Sequence, residues 1–228
     1  QHSCSMRIDP NRVGVISTFA TPIAHYEFPE DKHQELKDAV RISLREYDTG
    51  KNSWSANLFH YYQKNGEHLL QDNDAPIFDY FETWLQECYA DFVIDLQGWQ
   101  STQDAFITDC WVNITKANGS QVNHTHANAF VSGTYYLNME GDCGDIVFMN
   151  PAASPSRPYI GFQQAKQTMF SNMSQNGCAK ERLLVLWPGN ICHYTMPTGE
   201  NSTRVSISMN FMPEVFTAGG YNFKVSRE

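Results

Sequence analysis

Beyond Gly98 the hydrophobic residues recur with a period of two, as in Phe106-Ile-Thr-Asp-Cys-Trp-Val-Asn-Ile114, and turn-rich breaks return about every ten residues. Successive side chains on a strand point to opposite faces, so this alternation commits the second half of the chain to short strands with one buried face each. Further strands are predicted at Val131–Asn138, Asp145–Met149, Leu183–Trp187, Cys192–Met196 and Arg204–Phe211, separated at Gly119, Gly141, Gly144, Gly189 and Gly199. Residues 150–181, rich in Pro, Ser, Gln and Asn, break the rhythm and read as a loop or lid over an open barrel mouth.

The first half follows another period. Val13–Phe28 reads as an extended entry strand interrupted by Pro22. Glu30–Tyr47 repeats Leu36, Val40, Leu44 and Tyr47 at helical spacing. Thr49–Asn73 is polar and irregular, with aromatic islands at Trp54 and at Phe59–Tyr62. A long helix is expected next, with Asp74 as its N-cap, Pro76 in its first turn, an apolar face from Ile77 to Leu96, and Gly98 as its stop. Two helices ahead of many short strands give an α+β fold, a sandwich or jelly roll with helices buttressing one face.

The 228 residues suit one β-rich domain carrying helical elaborations. A single domain is expected over 7–228, with the strand and buttressing helices at 7–99, the β core at 100–213 and a tail at 214–228; residues 1–6 read as foreign sequence ahead of a start at Met6. Hydrophobic residues make up 41%, enough to exclude disorder for the bulk of the chain. A net charge of −9 with no Lys/Arg run argues against a nucleic-acid partner. No apolar stretch is long enough to span a membrane, and no signal-peptide core is visible. Six cysteines without a CxxC pair read as free thiols, which favours a cytoplasmic protein, and the five N-x-S/T sequons are taken as coincidental.

Chemistry concentrates on three of the eight histidines. His124 and His126 sit two positions apart at a strand end, where both can turn inward onto one ion, and His193 on a later strand can complete one triangular face. Such a facial triad leaves open positions on an octahedral metal, as non-haem iron oxygenases require. The bland alternative is a chance H-x-H beside an unrelated strand histidine. Arg204 follows His193 across a turn at Pro197–Gly199, and a hairpin of that length brings a guanidinium to the same cavity. Its planar fork suits an anion whose other end chelates the metal, although a surface arginine is the simpler reading of Arg204 in isolation. Ser206 faces the same way. His25, His33, His60 and His68 read as surface or packing residues, and Cys192 as packing.

The H-x-H pair is followed by Ser132-Gly-Thr-Tyr-Tyr-Leu-Asn138, Gly144-Asp-Ile-Val-Phe148, Leu184-Val-Leu-Trp-Pro188, His193 and Arg204-Val-Ser-Ile-Ser208. Over residues 106–212 this resembles the 2-oxoglutarate/Fe(II)-dependent dioxygenase superfamily, most closely an uncharacterised 2-oxoglutarate-Fe(II) oxygenase family within it. The Tyr-Tyr-Leu-Asn strand is similar to that of prolyl hydroxylases.

The resemblance implies a double-stranded β-helix, Fe(II) as cofactor and 2-oxoglutarate as cosubstrate. It further implies hydroxylation of a peptidyl or small-molecule substrate by dioxygen, with release of succinate and CO2. On the same basis His124, His126 and His193 hold the metal, and Arg204 the distal carboxylate of 2-oxoglutarate. Tyr136 helps Arg204, Asn113 is a weaker cosubstrate contact, and Tyr135 packs on the opposite face.

One departure stands out. The superfamily's usual triad has Asp or Glu where His126 stands, so a neutral imidazole leaves the iron one unit more positive. Asp104, Asp109 and Glu140 are alternative carboxylate donors, and an anion at an open position, with halogenation rather than hydroxylation as the outcome, is another way to restore the charge. Two other readings use the same residues: a cupin-like three-histidine iron dioxygenase without 2-oxoglutarate, and a non-catalytic β-sandwich binding protein. Oligomeric state is open, a homodimer included.

Overall fold

A computed structural model describes residues 20–44, 50–51, 55–62, 68–71, 74–100, 104–153, 165–166 and 168–226. The N-terminal part contributes strand β1 (Ala24–Glu27), helix α1 (Glu30–Leu44), strands β2 (Gly50–Lys51) and β3 (Ala56–Tyr61), and helix α2 (Pro76–Ala90). The rest is β4 (Ala105–His124), β5 (Val131–Glu140), β6 (Ile146–Met149), β7 (Ser174–Asn176), β8 (Leu183–Pro188), β9 (His193–Thr195), β10 (Thr203–Pro213), β11 (Val215–Ala218) and β12 (Tyr221–Lys224). The pairings are antiparallel, in the order β1-β8-β5-β10-β4-β9-β6-β7 with β3 added on β4. This is the curled sheet of a jelly roll, the double-stranded β-helix that the strand rhythm and the resemblance imply.

The helices cover one face of the larger sheet. His33, Leu36 and Val40 form the buried stripe of α1, while α2 buries Ile77, Phe78, Phe81, Leu85, Cys88 and Tyr89. Phe28, Phe81, Trp84 and Tyr135 meet there at ring-centroid distances of 4.8–6.0 Å, in mostly edge-to-face geometry that aromatic quadrupoles favour. His33 Nε2 donates to Glu181 at 3.0 Å and Nδ1 accepts from the Tyr135 hydroxyl at 2.6 Å, fastening α1 to β5 and to the approach to β8. It is a packing histidine, as read from the sequence. A second apolar cluster of Tyr136, Ile146, Phe148, Val185, Trp187 and Ile191 lies inside the roll.

Several expectations are corrected. The N-cap of α2 is Ala75, not Asp74, with φ −70° and ψ 127° and no side-chain cap. A residue before proline is held extended, so Ala75 is the last residue outside the helix and Asp74 lies one position too early. Past Ala90 the helix widens into a π turn over Asp91–Asp95 before ending at Gly98, whose φ of +72° suits glycine. The irregular stretch 49–73 contains β3, and Trp54 in it lies outside the described residues. The 150–181 stretch read as a loop contributes a short 3-10 turn at Pro151–Ala153 and β7, which extends the smaller sheet. The tail forms the hairpin β11–β12, with Phe216 stacked on Phe223 at 5.0 Å. Of the entry strand predicted over 13–28, Ala24–Glu27 is a strand and 13–19 lie outside the described residues.

The predicted break at Gly119 is instead a continuation: β4 runs 20 residues, pairing with β10 over Ala105–Thr115 and with β9 at Gln121 and His124. The transfer from one sheet to the other is pinned by Thr198. Its backbone exchanges hydrogen bonds with Asn118 and Gly119, and its Oγ1 donates to the Lys116 carbonyl at 2.6 Å. A Cβ at Gly119 would sit 2.6 Å from that same carbonyl oxygen and 2.9 Å from the Asn57 oxygen. Gly119→Ala is therefore expected to cost about 1–3 kcal/mol, as overpacking against backbone does. Urea denaturation measures it, and an unchanged midpoint would mean that the bend tolerates a side chain.

Candidate functional site

His124 is the last residue of β4, and its register partner on β9 is His193. His126 lies two residues beyond, tied by its backbone N–H to the Gly189 carbonyl at 2.9 Å. The ring centroids are 4.3 Å apart for His124–His193, 5.1 Å for His124–His126 and 5.2 Å for His126–His193. One nitrogen from each ring lies within 4.8 Å of those of the other two. Among the described residues this is the one group of three or more such side chains close enough to share an ion.

Second contacts fix the rings. His124 Nδ1 is 2.8 Å from the Val122 carbonyl and His193 Nδ1 is 2.9 Å from the Ile191 carbonyl. A carbonyl only accepts, so Nδ1 carries the proton in both rings and Nε2 is left with its lone pair, the form a metal needs. Trp187 packs on His193 at 4.8 Å and Trp111 stacks on His126 at 6.1 Å. Burial pushes His193 down to about 3 and His126 down to about 4, and His124 is lowered as well, the like charges of the neighbouring rings adding to the effect on His193 and His126. The cluster is thus held as neutral imidazoles, ready for a divalent cation.

The histidines border a cavity of about 320 Å³ inside the roll. On its β10 wall Arg204, Ser206, Ser208 and Asn210 alternate inward and all are buried. Arg204 is 3% exposed, its pKa held below the ordinary value by burial, and its NH1 donates to the Cys143 carbonyl at 2.7 Å. No ion pair to it exists among the described residues; the nearby Asp145 carboxylate accepts from the Ile146 and Ala179 amides through Oδ1. Beside it the buried Tyr136 hydroxyl lacks a hydrogen-bond partner among the described residues, as does Trp187 Nε1. A desolvated cation next to an unsatisfied phenol costs several kcal/mol unless an anion completes the pair, and a carboxylate at this end of the cavity would do so.

All seven residues singled out from the sequence therefore line one cavity. Ser206 faces Asn113 across β10–β4, and Tyr136 across β10–β5. Both ends of the Asn113 amide are engaged, Nδ2 donating to Ser208 Oγ at 2.8 Å and Oδ1 accepting from Trp111 Nε1 at 3.0 Å, so Asn113 braces the wall. The route by which Arg204 arrives differs from expectation. His193 and Arg204 are not on a hairpin: β9 pairs with β4 and β6, β10 with β4 and β5, and the shared strand β4 unites them.

Of the alternative carboxylates, Asp104 and Glu140 are exposed and lie outside the cavity, while Asp109 lines it without joining the ligand cluster. Sequence reading missed His60, which is buried on β3 opposite Asn113 and lines the cavity. Its signal was the alternation Leu58, His60, Tyr62, obscured by the polar text around it. Asp109 and Asn210, at the register pair that closes the wall beside His126, also carried no visible spacing.

Residues 109–210 match a family model described as "Putative 2OG-Fe(II) oxygenase". This segment belongs to the 2-oxoglutarate/Fe(II) oxygenases. The donor set fits both groups that such oxygenases use: three neutral imidazoles for the metal, a buried guanidinium and phenol for a dicarboxylate. No curated protein sequence matches. Solved structures share the fold at low identity. A prolyl hydroxylase from Trichoplax adhaerens, in complex with a hypoxia-inducible-factor peptide fragment, superposes with TM-score 0.58 at 14% identity, covering 84% of each chain. A Pseudomonas putida prolyl-4-hydroxylase gives 0.54 at 14% identity, over 85% of this chain and 93% of that one. HygX from Streptomyces hygroscopicus, with nickel and 2-oxoglutarate bound, gives 0.56 at 10% identity, over 85% and 83%.

Depressed histidines make the metal-free protein acid-sensitive. The unfolded chain takes up protons at His126 and His193 below the ordinary value of 6.5, whereas the folded chain does so only near 4 and 3. Stability is thus present above pH 6.5 and is lost as pH falls through the interval below it, by about 1.4 kcal/mol per unit for each ring. Urea unfolding at about pH 5.5 should show about 2–3 kcal/mol less stability than at about pH 7, and His193→Gln should remove roughly half of that difference. A flat profile would show that the rings are hydrated in the native state.

Proposed function

We propose that the enzyme hydroxylates a C–H bond of a peptidyl or small-molecule substrate, with His124, His126 and His193 holding Fe(II) and with Arg204, Tyr136 and Ser206 receiving the distal carboxylate of 2-oxoglutarate. The observation that carries this reading is the pairing of a neutral three-imidazole cluster with a buried, carboxylate-free Arg204 and an unsatisfied Tyr136 hydroxyl on one cavity. When bound, iron with 2-oxoglutarate and dioxygen supplies the oxidation: one oxygen atom enters the substrate C–H bond, and 2-oxoglutarate gives up CO2 and becomes succinate by taking the other.

The chain's own residues orient and shield. Arg204 and Tyr136 fix one end of the cosubstrate, and the Asn113–Ser208–Thr134 hydrogen bonds at 2.6–2.8 Å hold the wall between. Trp111, Phe148 and Trp187 keep water from the imidazoles. Dioxygen and the substrate enter at the mouth beside His126, where Thr125, Ala127 and Asn128 are exposed. A reading as a 2-oxoglutarate-free, cupin-like dioxygenase leaves Arg204 and Tyr136 without an occupant. The five described cysteines are unpaired thiols, which supports a reducing, cytoplasmic setting. Among the described residues no helix is long and apolar enough to cross a membrane.

Anaerobic calorimetric titration of the Fe(II)-loaded protein with 2-oxoglutarate tests the assignment. Saturable binding is expected, weakened about 10- to 100-fold by Arg204→Ala, the ~1.5–3 kcal/mol of a charge-assisted hydrogen bond. Iron binding without 2-oxoglutarate binding would contradict the proposal in favour of the cupin-like reading.

A further inference from the structure

The charge that the triad lacks is present one residue away. Asp109 and Asn210 are register partners on β4 and β10, and Asn210 Nδ2 donates to Asp109 Oδ2 at 3.0 Å. The other end of the same amide, Oδ1, accepts from Ser132 Oγ at 2.9 Å, and Asn210 and Asp109 line the same cavity as His126, Asn210 acting on its imidazole. An amide has one accepting end and one donating end, so anchoring Nδ2 on a carboxylate leaves Oδ1 as the only end that can accept from an imidazole N–H. Asn128 Nδ2, at 2.9 Å, and Thr108 Oγ1, at 3.3 Å, hold the same Asp109 oxygen in place. His126 differs here from its two neighbours, whose outer contacts are neutral backbone carbonyls of Val122 and Ile191.

Resting on the iron reading above, we infer that Asp109 is a positioning residue that supplies, through Asn210 and His126, the negative charge a metal-ligating carboxylate would otherwise provide. A divalent cation, three neutral imidazoles, a dianionic 2-oxoglutarate and Arg204 sum to one positive charge. Asp109 brings the sum to zero inside a partly dehydrated cavity, where an uncompensated charge is costly. The relay also sets which His126 nitrogen keeps its proton, leaving the other for the metal. His126 thereby stands where the superfamily's carboxylate is expected, with the carboxylate moved behind an imidazole and an amide.

The test uses Mn(II) as a redox-inert stand-in. Its affinity is measured by calorimetry for the wild type, for Asp109→Asn, and for the double variant Asp109→Asn/Asn210→Asp, which moves the charge to the position next to His126. Asp109→Asn should weaken Mn(II) about 10- to 100-fold, the usual loss when an outer partner of a ligand is removed. The double variant should recover affinity. At saturating Mn(II), 2-oxoglutarate should bind Asp109→Asn at least as tightly as wild type, because removing a nearby negative charge does not repel a dianion. A role confined to packing would weaken both ligands together and would not be rescued by relocating the charge, and either result overturns the inference. Mn(II) binding unaffected by Asp109→Asn overturns it alone, whereas a wild type that binds no Mn(II) removes the iron reading with it.

Discussion

Strand β4 is hydrogen-bonded to β10 along its first half and to β9 at its far end, and the site depends on that double pairing. A strand confined to one sheet would place either Arg204 or His193 out of reach of the other. Because β4 crosses, its terminal His124 is registered against His193, while Thr115, nine residues earlier, is registered against Arg204. The crossing is paid for by backbone: Thr198 supplies the hydrogen bonds that the bend would otherwise lose, and Gly119 makes room for them. The helices act on the opposite face, where His33 and Tyr135 lock α1 to β5, the strand that also carries Tyr136 into the cavity.

Electrostatically the cavity is built against its own stability. Among the described residues it holds three imidazoles that burial keeps neutral, a guanidinium without a carboxylate partner and a phenol without a hydrogen bond. Each is a cost that a packed apolar core would not incur, and one combination of ligands, a divalent cation chelated by a dicarboxylate, would relieve all of them. Binding and folding are coupled through these groups, since whatever satisfies them also stabilises the native state.

Much of this was legible in the sequence because it rests on local periodicity. Alternation along Tyr135-Tyr136 separates a residue for the helix face from one for the cavity, and the structure has them so, with Tyr135 against Phe81 and Tyr136 against Arg204. The i, i+2 rule brought His124 and His126 together, and the β10 alternation lined up Arg204 and Ser206. What was not legible depends on pairing between distant strands. The hairpin drawn between His193 and Arg204 failed because sequence distance says nothing about which strand lies between two others. His60 was passed over because β3 is recognisable only by its partner β4, and the relay through Asn210 to Asp109 exists only in the β4–β10 register. The misplaced cap at Asp74 is a smaller case, in which the constraint of proline on its predecessor outweighs the capping preference of aspartate.

The central claim is that one cavity holds a metal on three histidines at one end and a carboxylate on Arg204 at the other. Anomalous diffraction from crystals of the protein grown anaerobically with Mn(II) and 2-oxoglutarate measures this directly. The account predicts a single manganese peak enclosed by His124, His126 and His193, with the far carboxylate of 2-oxoglutarate against Arg204 and Tyr136. Manganese ligated by Asp109 in place of His126, or 2-oxoglutarate bound away from Arg204, would contradict it.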